Sequence, residues 1–367
     1  MSNRVSDQSG MLLRDNVFGK SITQDAQRRD FTINALYLDP ESRLIYDYTG
    51  GLYDLVKMQI DMIGDPNTRY LEDPVRMIRA LRFSAKLGFK ITKRTSSPII
   101  KLKEKLLEVS NARMYEEVNK LFLTGHGYES FCILRQYGIF EILFPGTVNL
   151  LKNKSYTDFV DYSLKSSDAR SENKKPNMPH FLYSVFLYPV FRQAYYELER
   201  ENEYSIRPFS LTALTTIAVN KVLNSQYSIT DIPYATAENI TSMWRTQIQF
   251  DTVDEKKAGS LAGKGIFRAA YDFLVIRSFF EPYLEPMVDL LKPYYQKAKE
   301  IALQKMKEKE QRFLAKKEKK ALKLAKKKKK NDSKANASFD DEKYTSKERQ
   351  EQLRKAKEWR KAMNLDI

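Results

Sequence analysis

The chain has 367 residues, 42% hydrophobic and 12% aromatic, enough for two or three domains with buried cores. Its single cysteine, Cys132, excludes an intramolecular disulfide and a cysteine-cluster zinc site. The two histidines, His126 and His180, stand far apart, no apolar run approaches the roughly 18 residues of a membrane span, and the first residues lack the apolar stretch of a signal peptide. A soluble, cytoplasmic protein with no membrane partner and no metal site of its own is expected.

The net charge is +16, and it is segregated. Residues 297–330 hold 15 Lys and 1 Arg against 4 Glu, a local charge of +12. A basic arm set apart from a near-balanced remainder points to a polyanion partner.

Residues 1–25 read as a polar loop with one extended piece at 10–16. The mixed segment 32–37 fits helix or strand. Residues 44–48 alternate as a strand, Gly50-Gly51 turns, a short helical element starts at Leu52, and 60–64 read as a last short strand. From Asp73 the period changes. Asp73-Pro74 predicts a helix start, with Asp as N-cap and Pro at the first helical position. Val75, Ile78, Leu81 and Ala85 follow at helical spacing, and Gly88 ends the helix. Further helices are expected at 99–107, 112–123, 128–137, 178–188, 206–223, 235–251 and 267–291. The polar stretch 152–179 reads as an exposed connection. Residues 316–330 read as a charged helix or as disorder, with disorder favoured at the five lysines 326–330. A linker at 331–345 and a short amphipathic helix at 347–363 complete the reading.

Three segments can carry chemistry. In Arg28-Arg29-Asp30-Phe31-Thr32-Ile33-Asn34-Ala35, a carboxylate suits a ribose hydroxyl and a guanidinium suits phosphate oxygens. In Glu72-Asp73-Pro74-Val75-Arg76-Met77-Ile78-Arg79, Asp73 and Arg76 are three apart and share a helical face. One accepts and the other donates. Adenine and cytosine both present an amino donor beside a ring-nitrogen acceptor. Guanine and uracil present the reverse. Such a pair therefore accepts ATP or CTP and leaves unpaired groups against GTP or UTP, each costing about 1–3 kcal/mol when buried. In Asn111-Ala112-Arg113-Met114-Tyr115-Glu116-Glu117, Arg113 and Glu117 are spaced for a helical ion pair.

In this order the motifs resemble those of the class II nucleotidyltransferases, the bacterial poly(A) polymerases and CCA-adding enzymes. Asp47-Tyr48-Thr49-Gly50-Gly51-Leu52 resembles the family's segment between head and neck and implies a hinge. The resemblance implies an α+β fold, the remnant of a mixed-sheet nucleotidyltransferase head followed by a mostly α-helical neck and body with a basic C-terminal arm. The expected divisions are 1–65 for the head remnant, 66–150 for a helical neck that binds the nucleotide base and RNA, 151–295 for the body, 296–330 for the arm, and 331–367 for the linker and last helix. It also implies that Arg29, Asp30, Asn34, Asp73, Arg76 and Arg79 bind the nucleotide, with Arg113 and Glu117 in support. RNA 3′ ends are the implied partner, held by Lys316, Lys317, Lys319, Lys320, Lys323, Lys326, Lys327 and Lys328. ATP is the implied substrate, and Mg2+ belongs to the full-length enzyme.

The family's metal-binding Asp-x-Asp should precede these motifs, and that triplet occurs nowhere in this chain. Catalytic carboxylates are thus expected before residue 1, and the chain alone is expected to be inactive. Three readings follow: a poly(A) polymerase recorded without its front, a non-catalytic RNA-binding protein, or the product of a decayed gene. A CCA-adding enzyme is the alternative within the family. The segment at 10–19 and the basic arm favour poly(A) polymerase. Missing head strands should leave apolar faces uncovered and prone to association.

Overall fold

A computed structural model describes residues 21–339 together with positions 350, 351 and 354. The expected extended piece at 10–16, the segment at 10–19 and most of the helix at 347–363 lie outside the described residues, as do the side chains of Lys320, Lys323, Lys326, Lys327 and Lys328. The chain divides into one unit ending at Gln296 and a second beginning at Lys297.

The first unit opens with helix α1, Ile22–Arg28, where a polar loop was expected. Ser21 caps it and Ala26 is buried beneath it. A 3-10 turn at Thr32–Asn34 leads into strands β1, Leu36–Leu38, and β2, Ile45–Asp47, which pair antiparallel. Helix α2, Gly51–Val56, follows. Strand β3, Gln59–Ile60, lies parallel to a later strand, β4, Lys90–Ile91. Phe31 forms an isolated bridge with Met62 and packs edge-on against Phe83.

Two corrections concern helix starts. The sequence places Asp-Pro at Asp65-Pro66 as well as at Asp73-Pro74, and the first pair begins helix α3, Pro66–Glu72, which periodicity over so short a stretch did not show. Asp73 closes α3 and also accepts from the Val75 N–H at the start of helix α4, Val75–Leu87. Gly88 ends α4 at φ +67°. Helices α5, Lys93–Leu102, α6, Asn111–Phe122, α7, Gly127–Gln136, and α8, Phe140–Leu143, follow.

The stretch expected to be an exposed connection is instead helix α9, Lys154–Glu172. Tyr156, Phe159, Val160 and Leu164 are buried along one face, a helical stripe diluted by Ser, Asp and Lys. Asp168 on α9 caps α7, accepting from the N–H groups of Gly127 and Tyr128 at 2.8 and 2.9 Å. Helix α10, Pro179–Glu203, packs against α11, Leu211–Tyr227, and α12, Tyr234–Phe250. Helices α13, Glu255–Ala262, and α14, Phe267–Ser278, follow. The core is aromatic. Phe186 of α10 meets Phe122, Phe140 and Phe144 with ring centroids 4.6–5.1 Å apart, and Phe191 stacks on Trp244 at 4.8 Å. This packing fixes α6, α8 and the Phe144 segment to α10, and α10 to α12.

Helix α15 runs Glu285–Phe339. Its backbone is helical through 326–330 and on to Phe339, where disorder and a linker were expected. Lys, Ala and Leu are good helix formers, and no Gly or Pro follows Pro293 within the helix. In the second unit Ile301, Leu303, Met306 and Phe313 are all exposed. Among the described residues, no helix is long and apolar enough to cross a membrane.

Candidate nucleotide site

The loop between α1 and the 3-10 turn presents Asp30, and α3 and α4 present the arginines that meet it. Arg76, only 2% exposed, donates through Nε to Asp30 Oδ1 at 2.9 Å. Its Nη1 donates to the Arg69 carbonyl at 2.8 Å and to Glu72 Oε2 at 3.1 Å. Nη2 of Arg76 has no acceptor among the described residues. Arg79 Nε lies 2.7 Å from the other Asp30 oxygen. Asp30, Arg76 and Arg79 are therefore one ion cluster.

Arg69 clamps the same loop from behind. Its Nη2 donates to the carbonyls of Arg28 and Arg29 at 3.0 and 2.8 Å, while Nη1 pairs with Glu72 at 3.0 Å. Nothing in the sequence marks Arg69 for this role, because the contact spans about forty residues.

Arg29 and Asn34 are brought together, but not on Asp30. Arg29 pairs with Asp25 at 3.0 Å, donates to the Asn34 carbonyl at 3.2 Å and lies over the Tyr37 ring. Asn34 thus holds the loop through its backbone. Hydrogen bonds from Tyr37 and Arg28, aided by Arg29, outweigh burial and bring the Asp25 carboxyl down to about 2. Burial opposes the charged form of Arg29, yet Asp25 and Tyr37 raise its pKa. The i,i+4 spacing of Asp25 and Arg29 is the sequence signal for this pair.

Asp73 is buried, and Arg113 Nη2 donates to its Oδ2 at 2.8 Å. This corrects the expected Arg113–Glu117 pair. The turn linking α3 to α4 brings Asp73 within reach of Arg113, and Glu117 takes Lys120 at 2.9 Å instead. The second oxygen of Glu117 is buried and unpaired, as is Nε of Arg82. Arg82 continues the stripe of Arg76 and Arg79 at three-residue steps. Burial lowers its pKa and Arg79 lowers it further, against the pull of Glu117 and Asp30.

The Gly-Gly segment is a brace in this structure. Asp47 accepts from the N–H groups of Thr49, Gly50, Gly51 and Leu52 at 2.9–3.0 Å. Gly50 sits at φ +83°, and a Cβ on Gly51 would lie 2.3 Å from the Thr32 carbonyl oxygen. Buried Asp54 accepts from Thr32 and Gln59 at 2.5 and 2.6 Å. The turn carrying Asn34 is thereby tied to α2 and β3.

Of the expected RNA-binding lysines, Lys316, Lys317 and Lys319 are exposed on α15 in the second unit. Among the described residues no cluster of carboxylate, His or Cys side chains is arranged to hold a metal ion. Asp30, Glu72 and Asp73 each face an arginine, so this donor set does not fit a magnesium ion. It does fit an anionic nucleotide, since Arg76 Nη2 and Arg82 Nε are donors without protein acceptors.

Three family models match in order along the chain: the poly A polymerase head domain over residues 3–61, the probable RNA and SrmB-binding site of polymerase A over 88–151, and the polymerase A arginine-rich C-terminus over 210–355. Poly(A) polymerase I of Escherichia coli O157:H7 is 38% identical over 278 residues, covering 75% of this chain and 58% of that protein. The chain belongs to the class II nucleotidyltransferase family of poly(A) polymerases and CCA-adding enzymes. Poly(A) polymerase I of Haemophilus influenzae is likewise 38% identical, covering 74% of this chain and 60% of that protein. The CCA-adding enzyme of Bacillus velezensis is 36% identical over 155 residues, covering 42% of this chain and 38% of that protein. The chain thus spans less than two thirds of the length of these family members. The Bacillus stearothermophilus CCA-adding enzyme, solved in complex with CTP, shares the fold at TM-score 0.50 and 20% identity, covering 76% of this chain and 60% of that one.

Proposed function

We propose that this chain carries the nucleotide-reading and RNA-holding part of a poly(A) polymerase, which adds AMP from ATP to RNA 3′ ends without a template. The observation that carries the reading is the immobilised pair Arg76 and Asp73. Arg76 is held by Asp30, Glu72 and the Arg69 carbonyl, and Asp73 is held by Arg113. Side chains fixed this way present a donor and an acceptor with little entropy left to lose, which suits selection of a base edge. Asp30 and Arg29 orient the sugar and phosphates in this proposal. Arg79 and Arg82 extend the positive stripe, and Glu117 supports it.

The divisions at 65, 150, 295 and 330 are part of the proposal, with the lysine arm holding RNA. A cytoplasmic setting is also proposed, supported by the lone cysteine. Nucleotidyl transfer by two metal ions needs paired carboxylates, and the sequence contains no Asp-x-Asp. We therefore derive no metal-dependent step from these residues.

CCA addition is the second reading, because the Asp73 and Arg76 pair admits cytosine as well as adenine. The more extensive match to poly(A) polymerase I favours the first. The test uses the purified 367-residue chain. ATP should bind with preference over GTP and UTP, while RNA, ATP and magnesium should give no adenylate transfer above a protein-free control. Transfer by the chain alone overturns the inactive-fragment reading, and equal binding of all four nucleotides overturns the base-reading pair.

A further inference from the structure

The connection between α10 and α11 departs from the rest of the first unit in what it leaves uncovered. Tyr204 is 87% exposed, Ile206 99%, Phe209 59% and Leu211 61%. Four large apolar side chains are crowded into one short loop, and none of them belongs to the nucleotide cluster.

The loop is tied into a fixed shape. The Phe209 N–H donates to Oδ1 of Asn202 at 2.7 Å, and Nδ2 of Asn202 donates back to the Phe209 carbonyl at 3.1 Å. The Ser205 N–H donates to the Asn202 carbonyl at 3.1 Å, and the Arg207 N–H donates to Ser205 Oγ at 3.3 Å. Pro208 fixes one backbone torsion, and Ser210 caps α11 by accepting from the Ala213 N–H at 3.2 Å. A single asparagine thus closes the loop, and its backbone has little freedom left to lose on docking.

The charges beside this apolar knob decide what fits it. Arg200, Glu201, Glu203 and Arg207 are exposed, and none has an ion-pair partner among the described residues. Glu201 and Glu203 stand in the last turn of α10, where the carbonyl end of a helix favours cations over carboxylates. Their own helix does not stabilise these two acids, and a cation from outside does. Arg207 is such a cation, carried by the same loop. An acidic partner would meet the glutamates, and a basic partner would meet the arginines. A surface with an apolar centre and unpaired charges of both signs at its rim is complementary to itself under a two-fold rotation. The four apolar residues expose on the order of 600 Å2, and with the rim this approaches the roughly 800 Å2 that each partner contributes to a specific interface.

We propose that the loop 204–211 is the contact of a homodimer. Tyr204, Ile206, Phe209 and Leu211 of two copies pack together, and Arg207 of each copy pairs with Glu201 and Glu203 of the other. The proposal is independent of the nucleotide and RNA readings.

The test measures mass by sedimentation equilibrium on the full chain over roughly 1–100 µM, the weak end of the range in which interfaces of this size dissociate. Nuclease treatment removes bridging nucleic acid, and a reductant prevents pairing through the exposed Cys132. The parent chain should pass from monomer to dimer across that range. Ile206→Ser/Phe209→Ser should weaken dimerisation at least about 30-fold. Arg207→Glu alone, and Glu201→Arg/Glu203→Arg alone, should each weaken it about 10-fold or more, because like charges then face each other. An equimolar mixture of these two charge variants should recover the dimer. Thermal unfolding verifies that each variant keeps the fold. A parent chain that stays monomeric overturns the proposal. So does a dimer that survives Ile206→Ser/Phe209→Ser, which passes the contact to the apolar side chains exposed at Ile45, Tyr53 and Val56. Charge variants that fail to recover on mixing overturn the two-fold pairing.

Discussion

Arg76 and Asp30 form a 2.9 Å charge-assisted hydrogen bond across 46 residues of sequence, with the arginine almost completely removed from solvent. The bond fixes the first turn of α4 to the loop before the 3-10 turn. Asp30→Asn removes the charge that balances Arg76. Breaking a buried ion pair by changing one partner costs about 3–5 kcal/mol, and here about 3 is expected because Glu72 remains. Urea denaturation checks the stability loss, and a nucleotide titration should show ATP affinity falling with it.

The Arg113–Asp73 contact should control selectivity more than stability. Asp73 loses its orienting donor in Arg113→Ala but keeps the Val75 N–H. The ratio of ATP to GTP affinity should fall about tenfold, equivalent to ~1.4 kcal/mol. An unchanged ratio with lower stability would assign Arg113 a packing role only.

Gly51 and Gly50 should respond differently to alanine. At Gly51 the new Cβ meets backbone atoms of Thr32 at 2.3 and 2.8 Å, so the turn must move, at about 1–3 kcal/mol. At Gly50 there is space, and only the left-handed backbone is penalised, at about 1 kcal/mol. Melting temperatures of the two variants should rank in that order.

Asp25 sets an acid-side pH dependence. Its carboxyl ionises at about 2 when folded, against an ordinary 3.8. A depressed folded value means the contribution is fully present above about 3.8 and is lost as pH falls toward 2. The side chain is one-third exposed, so the contribution is at most about 1 kcal/mol. Subtracting the urea midpoints of Asp25→Asn from those of the parent chain should give a difference that shrinks across that window.

Removal of residues 297–367 should weaken RNA binding and lower the salt slope by at least about 3, as expected if five or more phosphates lose their lysines. The first unit has its own aromatic core and should remain folded. A slope identical to that of the full chain would leave the arm as a solubilising extension.

Local features of this fold were legible because they are written over a few residues. Gly88 ends α4, Gly50-Gly51 turns the chain, and the α6 and α7 stripes predict their helices to within one residue. The α9 stripe was present too, but frequent Ser, Asp and Lys between its apolar positions disguised it as a connection. Helix α3 was too short for a period and had only its Asp-Pro start to announce it. Partners were harder to read. Arg113 has an acid four residues ahead in Glu117, yet it finds Asp73, because spacing along one helix says nothing about a neighbouring chain segment with a better-placed carboxylate. The motif order names Asp30, Arg76 and Arg79 together, and the fold does bring these three side chains into one cluster. That Arg29 turns to Asp25 while Arg76 takes Asp30 is a property of the packed loop.

The shared hold on Arg76 has an evolutionary consequence. A carboxylate from one loop, a second from α3 and a carbonyl from the same helix all converge on this guanidinium. Changing the residue to read another base leaves Asp30 with Arg79 alone and removes one arginine from Glu72, and changing either acid first leaves Arg76 with a single carboxylate. Contacting residues of this kind couple non-additively. If Arg76 reads the base as proposed, a change of nucleotide preference here requires several positions to change together.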